Sequence, residues 1–461
     1  MFLLSGQKGR DAMKTDSKIG GGASTRRYRH PLLSSISLFL QCLQAAVDPA
    51  VRRRVRWTPQ AASTAAVLMA LDSDATLYGS FQQARACMKG DYRGCCRTGK
   101  TYNGLLKALE RQQHTVLPIV KTELRAQVRR RWGHLHSTHP WVLLAVDGSK
   151  EDLPCTRDHE RGFGVADNGF TPQAFITAIA EVHTGLLWDW RLGRARASER
   201  QHLMEMIPDL PGDALLLADA GFVGLSVWEK LNTEGKHFLI RVGSNVHLLT
   251  DLWPPAKTRV VRDIVYVWPQ HARNTCPPLK LRLIKVGSGC KVMHLLTNVL
   301  EPARLTRKAA GAIYRKRWGV ELFYRTFKRT LGCAKLRSKA ARRATIELEW
   351  ALVTMTLMTL LGVDALVKRR HDPHRISHAQ LLHTLRHALR APPSSHRNTG
   401  RTLKRALGRC LKDAYTRRKP KHSRHCIITK NTPSTHLRPP HVRPATTQEK
   451  NDALKYAHLA A

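Results

Sequence analysis

The chain has 461 residues, 42% of them hydrophobic, enough for two or three packed units with a sizeable core. Lys and Arg number 77 against 34 Asp and Glu, and the formal net charge of +43 selects a polyanion such as DNA or RNA as partner. Ten cysteines without regular spacing argue against a secreted disulfide scaffold, and the short apolar start argues against a signal peptide.

Residues 1–30 are rich in Gly, Ser and Lys and read as a disordered basic leader, with Met13 a possible alternative start. Residues 31–138 read as a helical DNA-binding region. Leu32, Ile36, Phe39, Leu43 and Val47 keep helical spacing, and an amphipathic segment from 101 ends on three arginines and a Trp. No helix-turn-helix signature stands out. The adjacent Cys95 and Cys96 cannot supply a CxxC zinc clamp, and Cys87 with Cys95, and His422, His425 and Cys426, are only weak candidates for zinc ligands.

At Trp141 the period changes. WVLLAVDG reads as a buried strand that ends in a turn, and QAFITAIAEV and GLLWDWRLG follow as strands joined at His-Thr-Gly. SERQHLMEMI is a short helix with Ser198 as its N-cap, and DALLLADAGF is a further buried strand. LSVWEKLNTEG is a helix closed by Gly235, and KHFLIRV is a fifth strand. Three strands, then helix, strand, helix and strand, is the order of an α/β, ribonuclease H-like core, whose first part spans 139–242.

Residues 243–300 read as a β-insertion, with strands in DIVYVWP, KLRLIKV and VMHLLTNV punctuated by Pro254, Pro255, Pro277 and Pro278. Residues 301–370 return to the core, as one long helical stretch through TLG at 330–332 and then an apolar helix. That apolar stretch, 350–367, contains Thr, Gly and Asp and is expected inside the protein rather than across a membrane. Residues 371–461, with only three acidic residues after 400, read as a basic C-terminal arm for the phosphate backbone.

Three carboxylates sit at informative places. Asp147 ends the first strand and Asp219 the fourth, and in the expected sheet these strands are neighbours, so both carboxylates meet at one edge. Two such groups repel unless a divalent cation lies between them, and hard oxygen ligands select Mg²⁺ or Mn²⁺. Asp147-Gly148 is also a good turn dipeptide, and Asp219 could cap the following helix. The third group lies on the long helix, where Tyr314, Arg317, Glu321 and Lys328 follow the spacing Y-x2-R-x3-E-x6-K and share one face of an unbroken helix. An ordinary Arg317–Glu321 pair on a solvated face accounts for part of that pattern. Yet Glu301 and Glu321 are the only acidic residues from 301 to 345, which suits a metal ligand inside a phosphate-gripping surface.

In these blocks the chain resembles the DDE transposases of the insertion-sequence-four family. The resemblance rests on the Y-x2-R-x3-E-x6-K helix, on Asp147-Gly148-Ser149, on Asp219-Ala220-Gly221-Phe222 and on LLTN at 295–298, and covers about residues 140–365. It implies that Asp147, Asp219 and Glu321 hold two Mg²⁺ (or Mn²⁺) ions for DNA cleavage and strand transfer. It further implies that Tyr314, Arg317 and Lys328 grip phosphates, and that a Trp of the insertion, Trp253 or Trp268, stacks on a flipped base. Either Trp could equally be core. Arg241, closing the fifth strand, is a further DNA-facing candidate or an ordinary surface Arg. The implied partners are double-stranded DNA, both terminal inverted repeats and target, and a second copy of the chain to pair two ends. The implied location is the cytoplasm, at the nucleoid, with no membrane partner. Two other readings keep the basic surface: a simple nuclease of the same fold, and a non-catalytic DNA-binding remnant.

Overall fold

The computed structural model describes residues 32–33, 36, 39–44, 55–73, 76–88, 98–131, 140–166, 169–253, 263–288, 292–333, 336–390, 399–412 and 437–456. The expected leader, 1–30, and Cys95, His422, His425 and Cys426 lie outside these residues.

The first folded unit is helical: α1 (Pro59–Leu71), α2 (Leu77–Met88) and α3 (Tyr102–Arg130). Thr58 caps α1 by accepting from the Ala61 amide, and Pro59 takes a first-turn place where a missing N–H costs nothing. Thr101 caps α3 through the Gly104 amide. Leu105, Leu109, Val120, Leu124 and Val128 line the buried face of α3, at about 2 kcal/mol of burial for each large aliphatic side chain.

The α/β part follows the expected order: β1 (Val142–Asp152), α4 (Arg157–Phe163), β2 (Gln173–Glu181), β3 (Leu187–Arg194), α5 (Glu199–Met206), β4 (Ala214–Ala218), α6 (Leu225–Thr233) and β5 (His237–Val242). β2 runs antiparallel to β1 and to β3, whereas β4 runs parallel to β1 and to β5. All five residues of β4 are buried, as a strand covered on both faces requires. Ser198 caps α5 through the Gln201 amide, and Gly235, at φ +63°, turns the chain after α6.

The insertion contributes β6 (His247–Thr250), β7 (Ile264–Val267), β8 (Leu279–Val286) and β9 (Met293–Thr297). These strands do not stand apart from the core. β9 pairs antiparallel with β5, so one ten-stranded sheet runs β10-β6-β7-β8-β9-β5-β4-β1-β2-β3 among the described residues.

The long helical stretch expected before the apolar helix is broken in two places. α7 (Arg307–Arg315) and α8 (Trp318–Arg325) are separate, and a π-turn at Thr326–Thr330 follows α8. α9 (Ala341–Lys368) is the apolar core helix, packed against α1 and α3. It is long and apolar enough to cross a membrane, and most of its apolar length is buried inside the protein.

The basic C-terminal segment is not all arm. α10 (His378–Arg390) and α11 (Thr399–Leu407) pack on α9. β10 (His441–Pro444) then adds to β6 in parallel, and α12 (Thr447–Leu454) begins with a Thr446–Glu449 capping box. Leu249, Leu252, Tyr266, Trp268, Ala445 and Ala453 form a second, smaller core beneath this return.

Candidate active site

The paired strands put two carboxylates at one edge. Ala145 of β1 stands opposite Leu217 of β4 in parallel register, and Asp147 and Asp219 each lie two residues beyond that pair. β1 does not end in a turn at Asp147 as expected but runs on to Asp152, paired with β2. Asp147 Oδ1 accepts from the next amide of the strand, Gly148, and Asp219 Oδ1 from the Gly221 amide of the turn after β4, both at 2.9 Å. The capping role open to Asp219 is therefore real but local, serving the short turn Ala220–Phe222 rather than α6.

Glu321 arrives on α8, which lies across β1 and β2. Gly319 permits that seat, because a side-chain carbon there would fall well inside the Val182 carbonyl at the end of β2. Arg317 joins the third carboxylate to the first. Its guanidinium donates to Glu321 Oε1 at 2.8 Å and stands 3.8 Å from Asp147 Oδ2. Burial pushes the Asp147 carboxyl up to about 6, against the opposing pull of Arg317. Burial works against the Arg317 charge too, but Tyr314, Asp147, Asp219 and Glu321 outweigh it and raise its pKa.

The donor set is carboxylate oxygen alone, which suits a hard divalent cation. Glycine at 148 and 221 keeps open a cradle that a side chain at either position would fill, since a carbon built on Gly221 comes within 3.1 Å of Asp219 Oδ1. The residues present therefore fit a divalent ion at this edge.

Two members of the Tyr-Arg-Glu-Lys series depart from expectation, because the break before α8 and the π-turn after it change the register of the face. Tyr314 is buried, and its hydroxyl donates to the Ala218 carbonyl at 3.2 Å, so it ties α7 to the end of β4 and is not exposed to a phosphate. Lys328 donates to the Lys150 carbonyl and lies 3.0 Å from the buried Glu151 carboxylate, four residues past Asp147 along β1. Trp268 is a core residue: it is 3% exposed, its indole N–H donates to the Cys276 carbonyl, and Tyr456 packs edge-on against it. No free ring face is left there for a base. Trp253 is half-buried against the same small core. Arg241 lies on β5 opposite Leu295, close enough for its charge to act on Tyr314.

Three neighbours of the site escaped the sequence reading. The Tyr324 hydroxyl lies 2.9 Å from the Asp147 carbonyl and 3.0 Å from that of Ile176, one proton shared between them. Its place three residues after Glu321 was the available signal. Trp318, beside Arg317 and three residues before Glu321, is 59% exposed. Glu199, at the start of α5, is pushed up by burial and then by the charges of Asp219 and Asp147.

Among the described residues, the group whose possible ligand atoms all lie within 4.8 Å of one another is Glu181, His183 and His374; the carboxylates of Asp147, Asp219 and Glu321 do not all approach so closely. The two imidazoles stack face to face at 4.1 Å and 17°, so their in-plane lone pairs run side by side instead of converging. Both Glu181 oxygens already accept, from the His183 amide and ring and from the Thr184 amide and hydroxyl. This is a closed turn rather than a metal cradle.

Residues 164–358 match the family model described as transposase DDE domain, a span that takes in Asp219 and Glu321 and begins after Asp147. The chain is 26% identical over 241 residues to the transposase InsG for insertion sequence element IS4 of Escherichia coli (strain K12), covering 48% of this chain and 52% of that protein. The chain thus matches about half the length of this curated relative. Among solved structures it aligns with the piggyBac transposase synaptic complex with hairpin DNA over 87% of this chain and 89% of that one, at 12% identity and a TM-score of 0.39, too loose to fix a fold. The domain match, over somewhat less than half of the chain, and the insertion-sequence relative make the chain similar to DDE transposases of the insertion-sequence-four type.

Proposed function

We propose that the chain is a transposase that cuts and joins DNA at the ends of its element by metal-dependent phosphoryl transfer. The observation that carries this is the meeting of Asp147 and Asp219 at one sheet edge, with Glu321 brought in by α8 and joined to Asp147 through Arg317. The order β3-β2-β1-β4-β5, antiparallel on one side of β1 and parallel on the other, is that of a ribonuclease H-like core. Residues 139–242 and 301–370 form that core, 243–300 its insertion, and 31–138 a helical DNA-binding region. The remainder of 371–461 is a basic segment for the phosphate backbone.

Asp147, Asp219 and Glu321 would hold two Mg²⁺ or Mn²⁺ ions, which supply activation of the attacking oxygen and relief of charge on the leaving one. The chain's own residues do the rest. Tyr314 and Tyr324 fix the backbone on which the two aspartates stand, which holds the reacting groups in line. Arg317 neutralises the carboxylates while no cation is bound and, once released, offers a planar fork to a phosphate. Arg241 adds positive charge at the same edge. Trp318 offers a ring for a base turned out of the duplex.

The partners are double-stranded DNA, as terminal inverted repeats and as target, and a second copy of the chain, because two ends must be paired. The work place is the cytoplasm, at the nucleoid. The test is incubation of a labelled duplex carrying the element's end with Mg²⁺ and a target plasmid. Cleavage followed by joined product is expected. Cleavage without joining means a simple nuclease, and specific binding without cleavage means a DNA-binding remnant.

A further inference from the structure

Glu199 has no hydrogen-bond or ion-pair partner among the described residues. Its neighbour Arg200 is turned away and donates to the Val223 carbonyl. Yet the Glu199 side chain is half-buried, with its two oxygens lodged between Gly148 of β1 and Gly221 of the turn after Asp219. A side-chain carbon built on Gly148 would lie 2.8 Å from Glu199 Oε2, and one built on Gly221 would collide with Glu199 Oε1 while sitting 3.1 Å from Asp219 Oδ1. The two glycines that follow the aspartates thus make room for this one carboxylate.

An acidic residue in the first turn of a helix needs no ligand to explain it, since the helix dipole favours it there. That service is given equally well by a side chain directed to solvent. It does not account for an anion turned inward onto two other anions, Asp219 and Asp147, each of which acts on it more strongly than the charge of Arg200.

We propose that Glu199 is a fourth carboxylate of the divalent-cation site, binding the ion held by Asp219 and Asp147 on the side of the cradle away from Glu321. This rests on the reading of Asp147, Asp219 and Glu321 as metal ligands. Arg317 serves the Asp147–Glu321 side. A cation beside Glu199 would serve the other, so the four carboxylates are neutralised from two directions.

The test uses the full chain and Mn²⁺ alone, without DNA, titrated by calorimetry, with thermal melting as the check on folding. Glu199→Gln should weaken Mn²⁺ binding at least tenfold while melting like the parent, and Glu199→Asp, which keeps the charge but shortens its reach, should fall between. Glu205→Gln, on the far end of the same helix, should bind like the parent. If Glu199→Gln binds like the parent while Asp219→Asn does not, the proposal is overturned and the three-carboxylate reading stands. If Asp219→Asn and Glu321→Gln also bind like the parent, the reading beneath it fails. Should the Glu199 variants not fold, Fe²⁺ with ascorbate and peroxide, applied to the unmutated chain, gives the answer. Backbone cleavage beside residue 199 as well as 147 and 219 is expected, and cleavage at 147 and 219 alone overturns the proposal.

Discussion

At the scale of single residues, the balance among Asp147, Arg317 and Glu321 sets the chemistry. Burial raises the Asp147 carboxyl to about 6, so the folded protein holds that proton more tightly than the unfolded chain does. In the metal-free protein its contribution to stability is therefore full below about pH 4 and is lost as the pH rises through 6. A cation must displace the same proton. Mn²⁺ affinity should fall up to about tenfold per unit below pH 6 and level off above it, which a titration series from pH 5 to 8 measures. An affinity flat across that range would contradict the assignment of Asp147 as a ligand. Trp318 gives a second expectation. Because the ring is exposed, Trp318→Ala should leave the melting temperature unchanged, while binding of a duplex with an unpaired base near the cleavage point weakens by about 1–3 kcal/mol. Equal binding by both proteins would remove the stacking role.

At the scale of elements, the strands were legible because their signals are local. Short apolar runs before Asp147 and Asp219 read directly as buried strands, although only the second runs into a turn while β1 continues past Asp147-Gly148 to Asp152, and Ser198 and Gly235 marked the ends of helices correctly. The Tyr-Arg-Glu-Lys face was only half legible. Its spacing assumes one straight helix; with the break at 316–317 and the π-turn at Thr326–Thr330, Arg317 stays beside Glu321 and Tyr314, while Tyr314 turns its hydroxyl to β4 and Lys328 pairs with Glu151. The cause is tertiary. α8 must approach β2 closely enough for Gly319 to meet the Val182 carbonyl, and nothing in the local sequence announces that contact. Gly319→Ala should therefore cost about 1–3 kcal/mol by overpacking and lower the melting temperature by several degrees. A parental melting temperature would mean that α8 can shift without loss. Glu199 was illegible for a similar reason: its reach from Gly148 of β1 to Gly221 after β4 depends on α5 lying over the edge of the sheet.

At the scale of the whole molecule, the C-terminal return was the part least visible in the sequence. Composition announced a basic arm, but β10 and α12 complete the far edge of the sheet, and Glu449 pins them there through Arg273 and Arg443. The Arg443 hydrogen bonds hold the Glu449 carboxyl down at about 2, against the cost of burial. This contribution to stability is thus present above about pH 4.5 and is lost as the pH falls toward 2. Glu449→Ala should cost about 2 kcal/mol, allowing for the solvent-facing Arg443, and should open residues 437–456 to trypsin while Mn²⁺ binding persists. Unchanged proteolysis would show that the small core around Trp268 holds the return without the ion pairs. Trp253 and Trp268 illustrate the same limit, since an indole in a β-insertion looks alike in sequence whether it faces solvent or a core supplied two hundred residues later.

The central claim, that Asp147, Asp219 and Glu321 form one metal-dependent site, is tested most directly by crystallising the chain with Mn²⁺ and measuring anomalous scattering at the manganese edge. The account predicts peaks between the three carboxylates, with the Arg317 guanidinium displaced from Asp147 and Glu321. An empty edge at saturating Mn²⁺, with Arg317 still bridging those two carboxylates, would contradict it.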